Sequence, residues 1–303
     1  MIGGDAASPT LCFQDLLQEA VHRLRKTGLS TARLDAELLL AHAAGLRRED
    51  LIARPDLRPD PEIASRFRNF IERREGREPV AYILGRREFW SLEFRVNRTV
   101  LVPRPETETL VGEVLRRLPP PPPESADRDR RTRVIDLGTG SGNIVLSLAS
   151  ERADLFIVAT DLSGGALRTA KENAARLGMA GRVEFAGADW LEGIRPDGSF
   201  DAVVSNPPYI REGEEDALDR RTLAFEPRAA LIAGADGLDA CRAIVRGAED
   251  LLRPGGWLLL EIGADQAAEV RGLLEARGVY GQIDVVADLA GRDRVVAARR
   301  EGG

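Results

Sequence analysis

The sequence predicts an α/β protein built in two parts. A small N-terminal helical bundle precedes a doubly wound, mainly parallel seven-stranded sheet, and a β-hairpin links them. Three observations predict this. Apolar residues recur at helical spacing up to residue 85, the period falls to two between residues 88 and 102, and seven apolar, strand-length runs follow Arg133. The expected units are residues 1–85, the hairpin 86–104, and the α/β part 105–303.

Within the bundle, Phe13, Leu16, Leu17, Ala20, Val21 and Leu24 form one helix face that Gly28 stops. A second helix is expected after Ser30, with Leu34, Leu38, Leu39 and Ala41 inward and Gly45 at its end. Ile63, Phe67, Phe70 and Ile71 mark a third before Gly76. In "EFWSLEFRVNRTVLV" the residues Trp90, Leu92, Phe94 and Val96 alternate with Ser91, Glu93 and Arg95, which reads as a half-buried strand. Asn97-Arg98 is taken as the turn into Thr99–Val102. "PRPETETLVGEVLRRL" then starts a helix, with Pro105 in its first turn and Glu106 and Glu108 at the end favoured by the dipole. "PPPPPESADRDRRTR" is a stiff, solvated spacer that includes Pro119–Pro123.

From Arg133 the strands are "RVIDL", "LFIVATD", "RVEFAGAD", "FDAVVSN", "GWLLLEIG", "QIDVVADL" and "RVVAARR". Runs this apolar belong to a sheet covered on both faces. The last two lack a helix between them and are expected to pair as an antiparallel hairpin. Ligands of such sheets lie beyond the carboxyl ends of the strands.

Composition narrows the function. Net charge is −6, and residues 1–85 balance 13 basic against 13 acidic side chains, so no broad basic field draws nucleic acid or an anionic membrane. Cys12 and Cys241 are too few for a thiolate metal site, and His22 and His42 lack partners for zinc. No metal is expected. The opening "MIGGDAASPT" has neither a basic nor an apolar signal region, and no run reaches transmembrane length. A reducing, cytoplasmic setting is expected.

The first strand runs into "VIDLGTGSGNI". Gly138, Gly140 and Gly142 let the backbone approach a ligand closely, with Thr139 and Ser141 between them. A dinucleotide fingerprint requires glycine at position 143, where Asn143 stands. The loop suits a nucleoside without a pyrophosphate, of which S-adenosylmethionine is the common example. Asp161, ending the second strand, is placed to accept from both ribose hydroxyls. Asp189 and Trp190 end the third, where a carboxylate takes the exocyclic amine and an indole packs on the base. Each residue alone has an ordinary structural explanation; three at successive strand ends point to a nucleoside site.

The fourth strand ends in Asn206-Pro207-Pro208-Tyr209. A planar –NH2 on an sp² carbon is a poor nucleophile because its lone pair is delocalised. If the Asn206 side-chain oxygen and the Pro207 carbonyl each accept one of its hydrogens, the nitrogen is fixed and its lone pair aimed. The two prolines stiffen the backbone, and Tyr209 stacks on the planar group. Alignment of this kind contributes roughly 7–11 kcal/mol. A hydroxyl or carboxylate in place of –NH2 leaves acceptors unpaired, at a cost on the order of 10⁴-fold.

At this point the chain resembles the peptide-chain release factor glutamine N5-methyltransferases, the HemK/PrmC family. The resemblance rests on "AYILGRREFW", "VLVPRPETETLV", "DLGTGSGNI", "ADW", "SNPPYI", "FEPRAAL" and "DLAGRDRV" and spans nearly the whole chain. Asn-Pro-Pro-Tyr by itself is shared with other amino methyltransferases. The stretch Arg104 to Glu108 with a helical N-terminal domain is more specific.

The resemblance implies a Rossmann-like class I S-adenosylmethionine-dependent methyltransferase domain and a substrate-recognition role for residues 1–85. The implied partner is a class I release factor, whose Gly-Gly-Gln glutamine docks between the domains; membrane and direct nucleic-acid binding are not expected. Gly138, Thr139, Gly140, Ser141, Gly142, Asp161, Trp190 and Asn206 would contact the cofactor. Asn206, Pro207, Pro208 and Tyr209 would hold the glutamine, with Asn206, Pro207 and Tyr209 catalytic. Glu106 is assigned either to the same cleft or to the helix dipole, and Glu226-Pro227 to a buttress. Ser91 stands where the family often has glycine, Asn143 where alanine is frequent, and the proline spacer is longer than usual.

Two rivals remain. A nucleic-acid adenine or guanine methyltransferase presents the same –NH2 but needs a basic track, for which only Arg128, Arg130, Arg131 and Arg133 offer a local candidate. A partner-binding protein with a relict nucleoside fold would not need the intact Asn206–Tyr209.

Overall fold

The computed structural model describes residues 11–120, 131–214 and 224–302. Most of the proline spacer, with Arg128 and Arg130, lies outside the described residues. The chain divides into two compact units, Met1–Gly85 and Arg86–Gly303.

The first unit holds five helices among its described residues: α1 (Phe13–Lys26), α2 (Ala32–Ala44), α3 (Arg48–Ala53), α4 (Pro61–Glu75) and α5 (Val80–Leu84). Leu16, Leu24, Leu39, Leu40, Phe67 and Ile71 fill its core. The expected face of α2 is rotated. Leu34 is 43% exposed, and the buried side is Ala32, Ala36, Leu39, Leu40 and Ala43. The helix packs against the other four elements of the unit, and short alanine side chains allow that close approach. Thr31, not Ser30, precedes the helix, and its hydroxyl donates to Asp35 at 2.9 Å. Asp35 in turn accepts from buried Arg74 at 2.8 Å.

The second unit opens with the antiparallel pair β1 (Arg86–Phe89) and β2 (Leu92–Arg95). This corrects the hairpin: its turn is Trp90-Ser91, not Asn97-Arg98. Both turn residues have positive φ, 53° and 58°, as a tight two-residue hairpin turn demands. Neither residue favours the positive φ that such a turn needs, so residue type did not mark it. Tertiary hydrogen bonds hold it instead: the Trp90 backbone N–H donates to Glu108 and its indole N–H to Glu151, both at 2.8 Å. Phe89 and Phe94 meet edge-on, 6.2 Å between centroids, which contributes roughly 0.5–1.5 kcal/mol beyond burial. Asn97-Arg98 forms a side-chain-braced turn, Asn97 Oδ1 accepting from the Thr99 N–H at 2.8 Å, with no strand after it.

A left-handed Ser91 costs about 1–2 kcal/mol, partly offset by the chain entropy that glycine would add when unfolded. Ser91→Gly is therefore expected to stabilise this unit by up to about 1 kcal/mol. Urea unfolding followed by tryptophan fluorescence reads this directly, because Trp90, Trp190 and Trp257 all lie in it. A lowered midpoint would remove the strain assigned to the turn.

A short 3₁₀ turn, Pro105–Thr107, leads into α6 (Glu108–Arg117). Then follow β3 (Thr132–Leu137), α7 (Asn143–Glu151), β4 (Leu155–Asp161), α8 (Gly164–Arg176), β5 (Val183–Gly187) and β6 (Phe200–Ser205). The chain ends with α9 (Asp239–Leu251), β7 (Leu252–Glu261), α10 (Ala267–Glu275), β8 (Tyr280–Ala287) and β9 (Asp293–Arg300). The seven-stranded sheet has the order β5-β4-β3-β6-β7-β9-β8, parallel except where β9 runs against β7 and β8.

Alternation along the central strands feeds two cores. Val134, Ala202, Val204 and Leu259 face the cluster built by α6, α7 and the hairpin. Ile135, Leu137, Val203, Leu258 and Leu260 face the one built by α9 and α10. Both faces being dry explains why these strands read as unbroken apolar runs. Arg133 stacks over Phe156 and Phe200, 5.0 and 5.1 Å from the ring centres, so this arginine packs at the N-terminal end of the central strands. No described helix is long and apolar enough to cross a membrane.

Candidate active site

Strands β3, β4 and β6 end side by side at a cavity of about 580 Å³. Gly138, Thr139, Gly140, Ser141, Asp161, Asp189, Trp190, Asn206 and Pro208 line it. Gly142, Pro207 and Tyr209 do not appear among the lining residues.

The glycine loop is held from three sides. Gly140 has φ +57° and nothing where a Cβ would point, so its backbone is open to a ligand. Asp161 Oδ2 accepts from the Gly140 N–H at 2.9 Å, and Oδ1 from the Ser163 N–H at 2.8 Å. Each oxygen keeps a further lone pair for a ligand hydroxyl. Burial pushes the Asp161 carboxyl above its usual range, opposed by these two amides. The Trp190 ring sits against Gly138, 3.5 Å from where a Cβ would be, and also packs on the α9–α10 core. Gly142 serves packing: a Cβ there would come within 3.2 Å of Ala170 and 3.3 Å of Leu146.

Sequence reasoning missed Asn173. It is fully buried on α8, accepts from the Arg95 N–H at 2.7 Å, and donates to the carbonyls of Arg95 and Ser141. One side chain thereby ties the hairpin to the glycine loop. An asparagine in a helix pattern carries no sign of this.

Asn206 follows β6 directly. Ser205 Oγ donates to the Leu137 carbonyl at 2.6 Å, locking the ends of β6 and β3 together. On the far side of the tetrapeptide, Ile210 bridges Ile232. The Tyr209 carbonyl accepts from Gln266 at 2.9 Å, and burial raises the Tyr209 phenol. The prolines are thus anchored at both ends.

Asn206 Nδ2 donates to Thr107 Oγ1 at 3.0 Å, while its Oδ1 accepts from none of the described residues. Thr107 is buried in the 3₁₀ turn and is a second residue that the sequence did not single out. Its neighbour Arg104 lines the cavity and pairs with buried Glu226, whose other oxygen accepts from the Val102 N–H at 3.1 Å. Glu106 is exposed. A third missed residue is Glu261, 1% exposed at the end of β7, in the strand next to Asn206.

The cavity chemistry suits an adenosyl group. It offers an open glycine backbone, a carboxylate with spare acceptors and an indole face. No group of three or more His, Cys, Asp or Glu among the described residues is arranged to hold a metal ion.

Comparison with known proteins identifies both parts of the chain. Residues 15–85 match the model of the PrmC N-terminal domain, and residues 128–282 that of a methyltransferase domain. The chain is 46% identical over 286 residues to a release factor glutamine methyltransferase of Cereibacter sphaeroides, covering 94% of this chain and 97% of that one. A relative of the same name from Moorella thermoacetica is 44% identical over 292 residues, 96% of this chain and 100% of its own. One from Nitratidesulfovibrio vulgaris is 40% identical over 296 residues, 97% of each.

Among solved structures, the hMettl16 catalytic domain, crystallised with the MAT2A 3′UTR hairpin 6, superposes with a TM-score of 0.55 at 17% identity. That match covers 73% of this chain and 79% of that one, and it speaks to the fold alone. The match at both units and over nearly the full length of such relatives makes this chain a member of the release factor glutamine methyltransferase family.

Proposed function

We propose that the protein transfers a methyl group from S-adenosylmethionine to the side-chain N5 of the glutamine in the Gly-Gly-Gln motif of class I peptide-chain release factors. The observation that carries this is Asn206, its amide nitrogen donating to Thr107 and its oxygen accepting from none of the described residues, at a cavity of about 580 Å³. Its relatives are named as methyltransferases of release factor glutamine, which supports the same substrate class.

When bound, the cofactor supplies an electrophilic methyl group on a sulfonium. Gly138–Ser141 would lie along it, Asp161 would accept from the ribose, and Asp189 and Trp190 would hold the adenine. Asn206 Oδ1 and the Pro207 carbonyl would each accept one hydrogen of the target –NH2, Pro208 would form part of the wall, and Tyr209 would cover the amide plane. The target nitrogen, so held, would take that methyl group, leaving S-adenosylhomocysteine, and would release one amide proton to solvent. No side-chain base is required, because the proton becomes acidic once the nitrogen carries the methyl as a fourth bond. Residues 1–85 would recognise the release factor, 86–104 link, and 105–303 carry the chemistry, in the cytoplasm where release factors act.

The test offers isotope-labelled S-adenosylmethionine with a bacterial class I release factor, DNA and ribosomal RNA side by side. Label is expected on the release factor alone and is expected to vanish when its loop glutamine is changed. Label on nucleic acid instead would establish the adenine-directed rival.

A further inference from the structure

We propose that Glu261 is a positioning residue: together with Thr107 it sets which way the Asn206 amide faces and so decides whether Asn206 Oδ1 meets the target nitrogen. The inference rests on the function proposed above and deepens it.

The parallel register pairs Ser205 with Leu260, which puts Glu261 beside Asn206 in the neighbouring strand. The Glu261 side chain is buried, and neither carboxylate oxygen has a hydrogen bond of good geometry among the described residues, although Thr107 and Asn206 both lie close enough to favour its charged form. A buried carboxyl left without partners is costly and calls for a reason.

The charged and titratable groups around it come from three sides. Arg294 of β9 faces it, with its guanidinium engaged by Asp288 at 3.3 Å and the Ile262 carbonyl at 3.0 Å. Glu106 contributes opposing negative charge from the 3₁₀ turn, and the Tyr209 phenol feels the same carboxylate from beyond β6. Burial dominates this balance and pushes Glu261 up to about 7.

The consequence follows from donors and acceptors. An ionised carboxylate only accepts, so the Asn206 –NH2 must face Glu261 and Thr107, and Oδ1 turns toward the substrate side. The opposite rotamer would set oxygen against oxygen. A protonated Glu261 carries a donor, so it tolerates the flipped amide. The flipped amide would present hydrogens to the hydrogens of the target –NH2 and lose the acceptor. Competence therefore requires the charged form, and the rate of methyl transfer should fall as pH drops through the ionisation.

The experiment measures single-turnover methylation of a class I release factor between pH 5.5 and 9, with cofactor affinity measured by calorimetry. The parent rate is expected to rise through one ionisation near 7 and then flatten. Glu261→Gln keeps the shape but can both donate and accept. It is expected to lower the plateau rate by about 10–100-fold, the scale of a misplaced reacting group, and to abolish the ionisation. Cofactor Kd should stay within about threefold, since the displaced group is the acceptor rather than the loop.

Thr107→Val should move in the same direction without removing the pH step. In an Asn206→Ala background, Glu261→Gln should change the residual rate by less than about twofold, as two changes acting through one group do. A parent-like rate and pH profile in Glu261→Gln overturns the inference. So does an undiminished effect in the Asn206→Ala background, or a loss of cofactor affinity in step with the rate. A release factor left unlabelled by the parent protein would instead overturn the proposed function.

Discussion

Asn206→Ala is expected to lower turnover on a release factor by about 10³-fold while cofactor Kd changes only a few fold. The side chain sits where β6 ends, donates to Thr107 at 3.0 Å, and its oxygen accepts from none of the described residues. Removing it takes one of two acceptors from the nucleophile and lets water into the space. The glycine loop is untouched, because its braces are Asp161 and Asn173. Single-turnover rates and calorimetry on the same preparation separate the two effects. Near-normal turnover would refute the role given to the amide.

Asp161→Ala is expected to act the other way round, weakening cofactor binding by about 100-fold or more while the rate at saturating cofactor falls little. Hydrogen bonds to a charged carboxylate contribute roughly 1.5–3 kcal/mol each, and two ligand hydroxyls are at stake. The variant also frees the Gly140 and Ser163 amides that Asp161 now holds. Burial raises the Asp161 carboxyl, so acid conditions protonate it sooner than an exposed aspartate. Affinity should accordingly decline as pH falls through the acid range and be constant above it. Unchanged affinity in the variant would move the ribose site elsewhere.

Several features were legible because their signals are local. The seven strands and the closing antiparallel hairpin could be read from runs of apolar residues bounded by turns. The glycine loop, Asp161, Trp190 and the Asn206 tetrapeptide announced themselves through residue types confined to strand ends. Where the local signal pointed the wrong way, packing had overruled it. Leucine spacing placed Leu34 inside, yet the alanine side of α2 is buried because that side meets the other helices. Asn97-Arg98 has the residue chemistry of a turn, yet the hairpin bends at Trp90-Ser91 because Glu108 and Glu151 hold it there.

By itself, then, the sequence determined the layered α/β architecture, the glycine-rich loop at the strand ends and the identity of the amide beside it. Periodicity and backbone-permissive residues carry that information within a few positions of each other. Only the tertiary structure decided which way the amide points. Its partner Thr107 lies 99 residues before it, and Glu261 stands beside it one strand across; sheet register and a 3₁₀ turn that no local pattern encodes bring them there.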